Sequence, residues 1–188
     1  MSEAGATACP IIVVMGVSGS GKTTIGHALA ARLGWAYREG DDFHPQANVM
    51  KMRAGEPLGD EDRMPWLAAI VDWMDVQSQM RVPAVIGCSA LKRDYRDFLR
   101  RDRPRVWFLY LRVPRAELER RVETRHHEYM PPSLLDSQLE TLEEPQPGEP
   151  HVITVGAGGA VEAIVEATLR ALRARSILAD RVDSGAQQ

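Results

Sequence analysis

The chain has 188 residues and a mass of 20.9 kDa, with 44% hydrophobic and 26% charged residues. These values predict one folded domain with a real core, or at most one domain with a small insertion, and they exclude a disordered chain and a fibre. The longest apolar run, Ile11 to Met15, is far too short to cross a bilayer, so we expect no membrane partner.

The charges are nearly balanced, with 23 Lys and Arg against 26 Asp and Glu and a net charge of −3. Because no global positive field results, we expect no nucleic-acid partner. The two cysteines, Cys9 and Cys88, cannot build a disulfide framework and their spacing fits no zinc pattern. Residues 1–10 lack the features of a secretory signal, so free thiols and a cytoplasmic location are expected.

Strand and helix patterns alternate along the chain. The predicted strands are 11–15, 35–38, 83–88, 105–111 and 151–155. A first helix should end at Leu33, and a helix capped by Asp60 or Asp62 should run past Met74. The other predicted helices are 48–53, 91–99, the segment after Pro114, 133–142 and the segment after 156–159. This alternation predicts an α/β fold with a parallel sheet and helices on both faces.

A glycine-rich segment, Gly16 to Thr23, lies between the first strand and the first helix and matches the pattern G-x-x-x-x-G-K-[ST]. Its backbone N–H groups and the helix N-terminus suit phosphate groups. Lys22 should reach the β- and γ-phosphates, and the Thr23 hydroxyl should bind Mg²⁺. The motif therefore predicts a nucleotide site without identifying the phosphate acceptor.

An acidic turn, Glu39 to Pro45, follows the second strand and should lie beside the phosphate loop. The third strand ends without an acidic residue, so this turn is the expected source of a carboxylate near the metal. One of Glu39, Asp41 and Asp42 could accept a proton from an attacking hydroxyl, and another could hold a metal-bound water. A solvated turn with Asp42 as a cap is the alternative.

Basic residues gather at the end of the helix after Pro114, where Arg120, Arg121 and Arg125 lie close together in sequence. Phosphoryl transfer needs cations that close over the γ-phosphate, so a lid that carries arginines fits this segment. The alternative is an ordinary solvated helix end, where arginine suits the helix dipole. GTPase signatures, an Asn-Lys-x-Asp and a strand that ends in Asp-x-x-Gly, are missing from the sequence.

Taken together, the segments closely resemble the bacterial gluconokinases, which phosphorylate D-gluconate with ATP. The segments that carry the resemblance are 16–23, 39–45, 48–52, 55–67, 88–96 and 137–145, within a match over about 11–172. The resemblance implies a three-layer P-loop kinase fold like that of nucleoside monophosphate kinases, with a five-stranded parallel sheet and a lid. It also implies a homodimer, and 6-phosphogluconate formed by in-line transfer to the C6 hydroxyl.

The resemblance implies these domain limits: an N-terminal extension at 1–10, one kinase domain at 11–174 with a lid at about 121–137, and a tail at 175–188. The implied ATP-binding residues are Gly16, Ser18, Gly19, Ser20, Gly21, Lys22, Thr23, Thr24, Arg121 and Arg125. Mg²⁺ would be held by Thr23, with Glu39 near it through water. Asp41 is the candidate base, and Lys22 and Arg125 complete the implied catalytic set.

The implied residues for the sugar acid are Asp41, His44, Lys51, Arg63, Lys92 and Arg96. Arginine suits a carboxylate as a two-pronged donor, and Asp and His suit hydroxyls. The open alternatives are a structural ion pair for Arg63 and a plain helix surface for Lys92 and Arg96. A kinase of another small acceptor and a module that only senses ATP are the competing functions.

Overall fold

The computed structural model describes residues 9–123 and 133–178, and the elements below all lie within those ranges. The strands are β1 (Ile11–Met15), β2 (Ala36–Glu39), β3 (Ala84–Gly87), β4 (Val106–Arg112) and β5 (Val152–Gly156). The helices are α1 (Lys22–Leu33), α2 (Gln46–Arg53), α3 (Asp60–Gln79), α4 (Arg93–Arg100), α5 (Arg115–Glu123), α6 (Ser133–Thr141) and α7 (Val161–Ala174). A turn of 3₁₀ helix, Gly40–Phe43, follows β2.

The five strands form one parallel sheet, as the alternating pattern predicted, and the structure shows that their order is β2-β3-β1-β4-β5. The central strand β1 pairs on one side with β3 and on the other with β4, so that Ile11 is opposite both Ala84 and Val106. All of its residues are buried because helices cover both faces of the sheet. The carboxyl ends of the strands therefore meet at one edge, where ligands bind in such folds.

Two hydrophobic cores flank the sheet. Alternate residues of β1 point to opposite faces: Ile12 and Val14 pack in the core with α1 and α7, and Val13 packs in the core with α3 and α4. Trp66, Leu67, Ile70 and Met74 of α3 are each at most 1% exposed. This burial holds α3, which carries site residues in its first turns, rigidly against the sheet.

The predicted element limits agree with the structure to within a few residues. Helix α1 ends at Leu33, and Gly34 follows it in the left-handed region (φ 69°), as its sequence signal indicated. Neither aspartate precedes α3 as its cap: Gly59 holds that position, and the Asp62 carboxylate accepts a hydrogen bond from the Gly59 N–H at 3.0 Å. Asp60 is instead the first helical residue.

Several predicted features lie partly or wholly outside the described residues. Arg125 and most of the predicted lid are outside them, as are residues 1–8 and the tail beyond 178. Within the described ranges, no helix is both long and apolar enough to cross a membrane.

Candidate active site

The segments after β1, β2 and β3 meet at the carboxyl edge of the sheet. They are the phosphate loop, the acidic turn and the loop after Gly87. Gly40 lies so close to the end of β3 that a Cβ atom there would be 2.1 Å from the Gly87 carbonyl oxygen. The Trp66 indole N–H donates to the Gly40 carbonyl at 2.7 Å and fixes the turn from the other side. Glycine at position 40 is thus a condition for the acidic turn to pack against the end of β3.

The phosphate loop curls around the start of α1. Gly19 (φ 78°) and Gly21 (φ 95°) adopt backbone conformations that strongly favour glycine. The Lys22 ammonium donates to the Val17 carbonyl at 3.0 Å, across the loop. Ser20 is 1% exposed, and its hydroxyl has no hydrogen-bond partner among the described residues. The loop therefore presents backbone donors and a lysine at one helix N-terminus, an arrangement that suits phosphates.

Thr23 and Glu39 form a hydrogen-bonded pair next to this loop. The Thr23 hydroxyl donates to Glu39 Oε2 at 2.8 Å, and the Tyr37 hydroxyl donates to the same oxygen at 2.8 Å. Burial and the Glu39 charge hold the pKa of Tyr37 well above its usual value, so Tyr37 stays a donor. Because Thr23 gives its proton to Glu39, its oxygen lone pairs are available to a cation.

This arrangement fits Mg²⁺ bound with a nucleotide. Mg²⁺ prefers oxygen ligands and keeps several waters and phosphate oxygens, so one hydroxyl and a nearby carboxylate are enough protein groups. The described ranges hold no group of three or more His, Cys, Asp and Glu residues that could bind a metal without a nucleotide.

Arg121 connects α5 to the phosphate loop and to the segment after β5. Its guanidinium donates to the Ala157 carbonyl at 2.8 Å and the Gly19 carbonyl at 3.4 Å, and it pairs with Glu117 at 2.7 Å. A pocket between the phosphate loop and α7 adjoins it, lined by Gly21, Thr24, Ile25, Ala157, Val161 and Ile164. The structure therefore places Thr24 and Arg121 at one pocket, beside the phosphate loop.

A second cleft opens on the other side of Lys22. Its lining includes Lys22, Asp41, His44, Arg63, Ser89 and Gln138. These residues come from α1, the acidic turn, α3, the loop after β3 and α6. We call this space the acceptor cleft. Three of the predicted sugar-acid residues, Asp41, His44 and Arg63, meet there.

Asp41 presents its carboxylate to the acceptor cleft, with 59% of the side chain exposed. Loss of water around the carboxylate raises the pKa of Asp41, the Lys22 charge opposes this rise, and the Asp42 charge adds to it. The net shift is upward, which makes Asp41 a stronger base than an ordinary aspartate. Asp42 differs from it, since its carboxylate lies 3.6 Å from Arg38 and does not line the acceptor cleft.

His44 is held rigidly at the edge of the cleft. Its side chain is 4% exposed, and its ring stacks on Trp66 with the centroids 4.3 Å apart. Its Nε2 lies 3.9 Å from Asp41 Oδ1. Burial, together with the Arg63 charge, lowers the pKa of His44 to about 4, so the ring is neutral at pH 7.

Arg63 is a buried cation, 8% exposed, with its guanidinium carbon 5.7 Å from the centre of the Tyr95 ring. Among the described residues no carboxylate forms an ion pair with it, so the structure offers no support there for the alternative of a structural pair. A buried cation at a cleft is stabilised by an anion, and a carboxylate matches the guanidinium in shape.

Lys51 and Lys92 pair with carboxylates in the first turn of α3. The Lys51 ammonium donates to Asp62 at 2.7 Å, and the Lys92 ammonium donates to Asp60 at 2.7 and 2.9 Å. These lysines hold the pKa values of both aspartates below their usual range. Neither lysine lines the acceptor cleft in this structure.

Arg96 does not contact the acceptor cleft, in contrast to the prediction. Its side chain is 2% exposed, and its guanidinium binds the Glu149 carboxylate at 2.6 and 3.0 Å. It also donates to the carbonyls of Ala90 and Leu91 at 3.3 and 3.2 Å. Arg96 therefore supports the loop after β3, and the distant Glu149 gave no local signal of this role.

Two side chains at the site were not predicted. The Ser18 backbone N–H, in the phosphate loop, donates to Gln138 Oε1 at 2.7 Å, and Asn48 is hydrogen-bonded to His44. Both residues lie in the segments that carry the resemblance, but nothing about an isolated amide side chain predicts which partner it finds. The predicted lid residue Arg125 lies outside the described ranges.

Comparisons with known proteins show which family the chain resembles. The family model "Shikimate kinase" matches residues 18–173. Gluconokinase from Gluconobacter oxydans (strain 621H) is 48% identical over 163 residues, which covers 87% of this chain and 91% of the relative. Thermoresistant gluconokinase from Escherichia coli (strain K12) is 39% identical over 163 residues, which covers 87% of this chain and 93% of the relative.

A solved structure gives the same result in three dimensions. A crystal structure of a gluconokinase from Sinorhizobium meliloti 1021 superposes with a TM-score of 0.79 and 44% identity, and covers 88% of this chain and 93% of that one. A common phosphate loop alone would not produce this agreement in fold, in matched length and in sequence identity. The chain belongs to the gluconokinase family, within the shikimate kinase group of P-loop kinases.

Proposed function

We propose that this protein transfers the γ-phosphoryl group of ATP to the C6 hydroxyl of D-gluconate and releases 6-phosphogluconate. The observation that carries the proposal is the acceptor cleft, which combines Lys22 of the phosphate loop with the base candidate Asp41 and the buried cation Arg63. Gluconate has a carboxylate at one end and a primary hydroxyl at the other, and this set of side chains complements both ends.

In this reaction Arg63 holds the carboxylate of gluconate through paired N–H donors. Asp41 accepts the proton of the C6 hydroxyl while the C6 oxygen forms a bond to the γ-phosphorus. The bond from that phosphorus to the β–γ bridging oxygen breaks. Lys22 stabilises the negative charge on the transferred group. The raised pKa of Asp41 favours its role as proton acceptor.

Mg²⁺ is the proposed cofactor. Thr23 would be its protein ligand. Glu39, which accepts a hydrogen bond from the Thr23 hydroxyl at 2.8 Å, would orient Thr23 and hold a metal-bound water. The ion would supply charge neutralisation at the phosphates. Arg121 and the residues of the pocket beside it would bind the nucleotide, and Arg125 stays a prediction as the lid arginine.

We propose further that the protein works as a homodimer in the cytoplasm, with no nucleic-acid or membrane partner. The family resemblance supports the dimer. Cys9 and Cys88 are both free thiols, which is consistent with a reducing compartment. Light scattering of the purified protein would give a mass of about twice 20.9 kDa for the dimer and 20.9 kDa for a monomer.

The test is ATP consumption by purified protein with Mg²⁺ and one of D-gluconate, shikimate, glucose, AMP or no acceptor. We expect turnover with gluconate alone. Lys22→Ala protein purified in the same way controls for contaminating kinases. Turnover with another acceptor would contradict the assignments of Asp41 and Arg63, and ATP binding without turnover on any acceptor would favour a sensing module.

A further inference from the structure

Asn48 is a buried amide, 3% exposed, that the proposed reaction does not use. Its Nδ2 donates to the Asp62 carbonyl oxygen at 2.7 Å and lies 3.3 Å from His44 Nδ1. A carbonyl oxygen can only accept hydrogen bonds, so the NH₂ group, and not the oxygen, must face Asp62. The second hydrogen of the same nitrogen is then the one directed at His44.

This orientation decides which nitrogen of His44 carries the proton. Nδ1 accepts a hydrogen bond from Asn48, so in the neutral ring the proton is on Nε2. Nε2 is the nitrogen near Asp41, 3.9 Å from Oδ1. The His44 ring stacks on Trp66, which is part of the core. A rotation that exchanges the two ring nitrogens would disrupt this packing.

The charged groups around His44 come from two elements. Asp41, on the acidic turn, favours a proton on the near nitrogen, whereas Arg63, on α3, opposes a full positive charge on the ring. The element α2 contributes the uncharged Asn48. The neutral Nε2–H form satisfies all three neighbours at once.

We propose that Asn48 is a positioning residue that holds His44 in the Nε2–H form, so that His44 donates a hydrogen bond to the acceptor hydroxyl whose proton Asp41 takes. A hydroxyl oxygen can lie about 2.8 Å from both Nε2 and Oδ1, because those atoms are 3.9 Å apart. The Nε2–H group of His44 binds one lone pair of the hydroxyl oxygen. The other lone pair can then face the phosphorus, and the hydroxyl proton is directed at Asp41. The identity of the hydroxyl rests on the proposed function, but the ring form does not.

The first test reads the ring form directly and needs no substrate. Long-range ¹H–¹⁵N spectra of protein labelled at its 5 histidines would show, for the signals lost in His44→Gln, an unprotonated Nδ1 and a protonated Nε2 at pH 7. A proton on Nδ1, or an imidazolium at that pH, would overturn the proposal whatever the substrate is.

The second test replaces the donor by an acceptor. In Asn48→Asp the carboxylate would draw the ring proton to Nδ1, and we expect kcat with gluconate to fall about tenfold or more with a KM for ATP that is nearly unchanged. Gln46→Glu adds the same charge on the exposed side of α2 and should keep normal kcat. An unchanged ring form and normal kcat in Asn48→Asp would contradict the proposal.

A third variant covers the case in which Asn48→Asp does not fold because its carboxylate faces the Asp62 carbonyl. Asn48→Leu has a similar volume and removes the hydrogen bond to the ring without adding charge. We expect its His44 signals to show both neutral forms in exchange, with reduced kcat. A single Nε2–H form in folded Asn48→Leu would show that Asn48 does not set the ring form.

Discussion

The phosphate loop and the acceptor cleft share Lys22 but are built in different ways. The loop is one run of consecutive residues, Gly16 to Thr23, at the end of the central strand, and it works through backbone donors. The cleft is made of side chains from separate segments, among them Asp41, Arg63 and Gln138. The phosphate-binding part of the site is therefore a local property of the chain, whereas the choice of acceptor depends on how distant segments pack.

The supports of the two regions differ as well. Glycine backbone conformations shape the loop, while buried polar contacts shape the cleft: Trp66 to Gly40, Asn48 to His44 and Arg96 to Glu149. Substitutions in the loop should therefore abolish activity with every acceptor. Each substitution around the cleft should mainly affect one property, which is substrate binding, the chemical step or stability.

Lys22→Ala should have the largest effect, because it removes the charge that stabilises the transferred group. We expect kcat to fall by about 10³-fold or more in steady-state assays with saturating ATP and gluconate. Arg32→Ala, in an exposed ion pair at the end of the same helix, is the control and should be close to normal. Near-normal turnover in Lys22→Ala would contradict the assignment of the loop.

Arg96→Met tests the support of the cleft rather than its chemistry. It leaves the Glu149 carboxylate, 7% exposed, without its buried partner, so the free energy of unfolding in urea should fall by about 3–5 kcal/mol. Arg93→Met on the same helix breaks only an exposed contact with Asp97 and should cost under about 1 kcal/mol. A loss in the Arg96 variant no larger than in this control would mean that the buried pair is not a main support.

Asp41→Asn should impair the chemical step while leaving the nucleotide bound. We expect about a 10²-fold loss in kcat, with the Kd of ATP from calorimetry nearly unchanged. Since the base must be deprotonated and its pKa is raised, wild-type activity should decline with falling pH at a higher pH than for an ordinary aspartate. Asp42→Asn, which alters the exposed carboxylate near Arg38, should be close to wild type, and equal losses in both variants would contradict the choice of Asp41.

Arg63→Lys should give the smallest of these effects, because the positive charge stays and only the paired donors are lost. We expect the KM for gluconate to rise about tenfold, with the KM for ATP nearly constant. Lys51→Arg is the matched control, since this lysine is paired with Asp62 outside the cleft. A change in the KM for ATP instead would place Arg63 on the nucleotide side.

Much of the molecule was predictable because its signals are local. The apolar run of β1 requires burial on both faces, and Gly34 stops α1 through its left-handed conformation. Asp41, His44 and Arg63 were predicted as site residues through the family resemblance. Arg96 was assigned to the sugar acid in the same way, but its partner Glu149 lies 53 positions away along the chain.

The sequence alone therefore determines the phosphate loop, the succession of strands and helices along the chain, and the family. Each of these follows from neighbouring residues or from matching segments. Only the tertiary structure decides which side chains line the acceptor cleft. Lys51, Lys92 and Arg96 are cations like Arg63, yet the structure gives each of them a carboxylate partner and leaves Arg63 facing the cleft. The physical reason is that charge pairing depends on distances between side chains, which packing sets and sequence spacing does not.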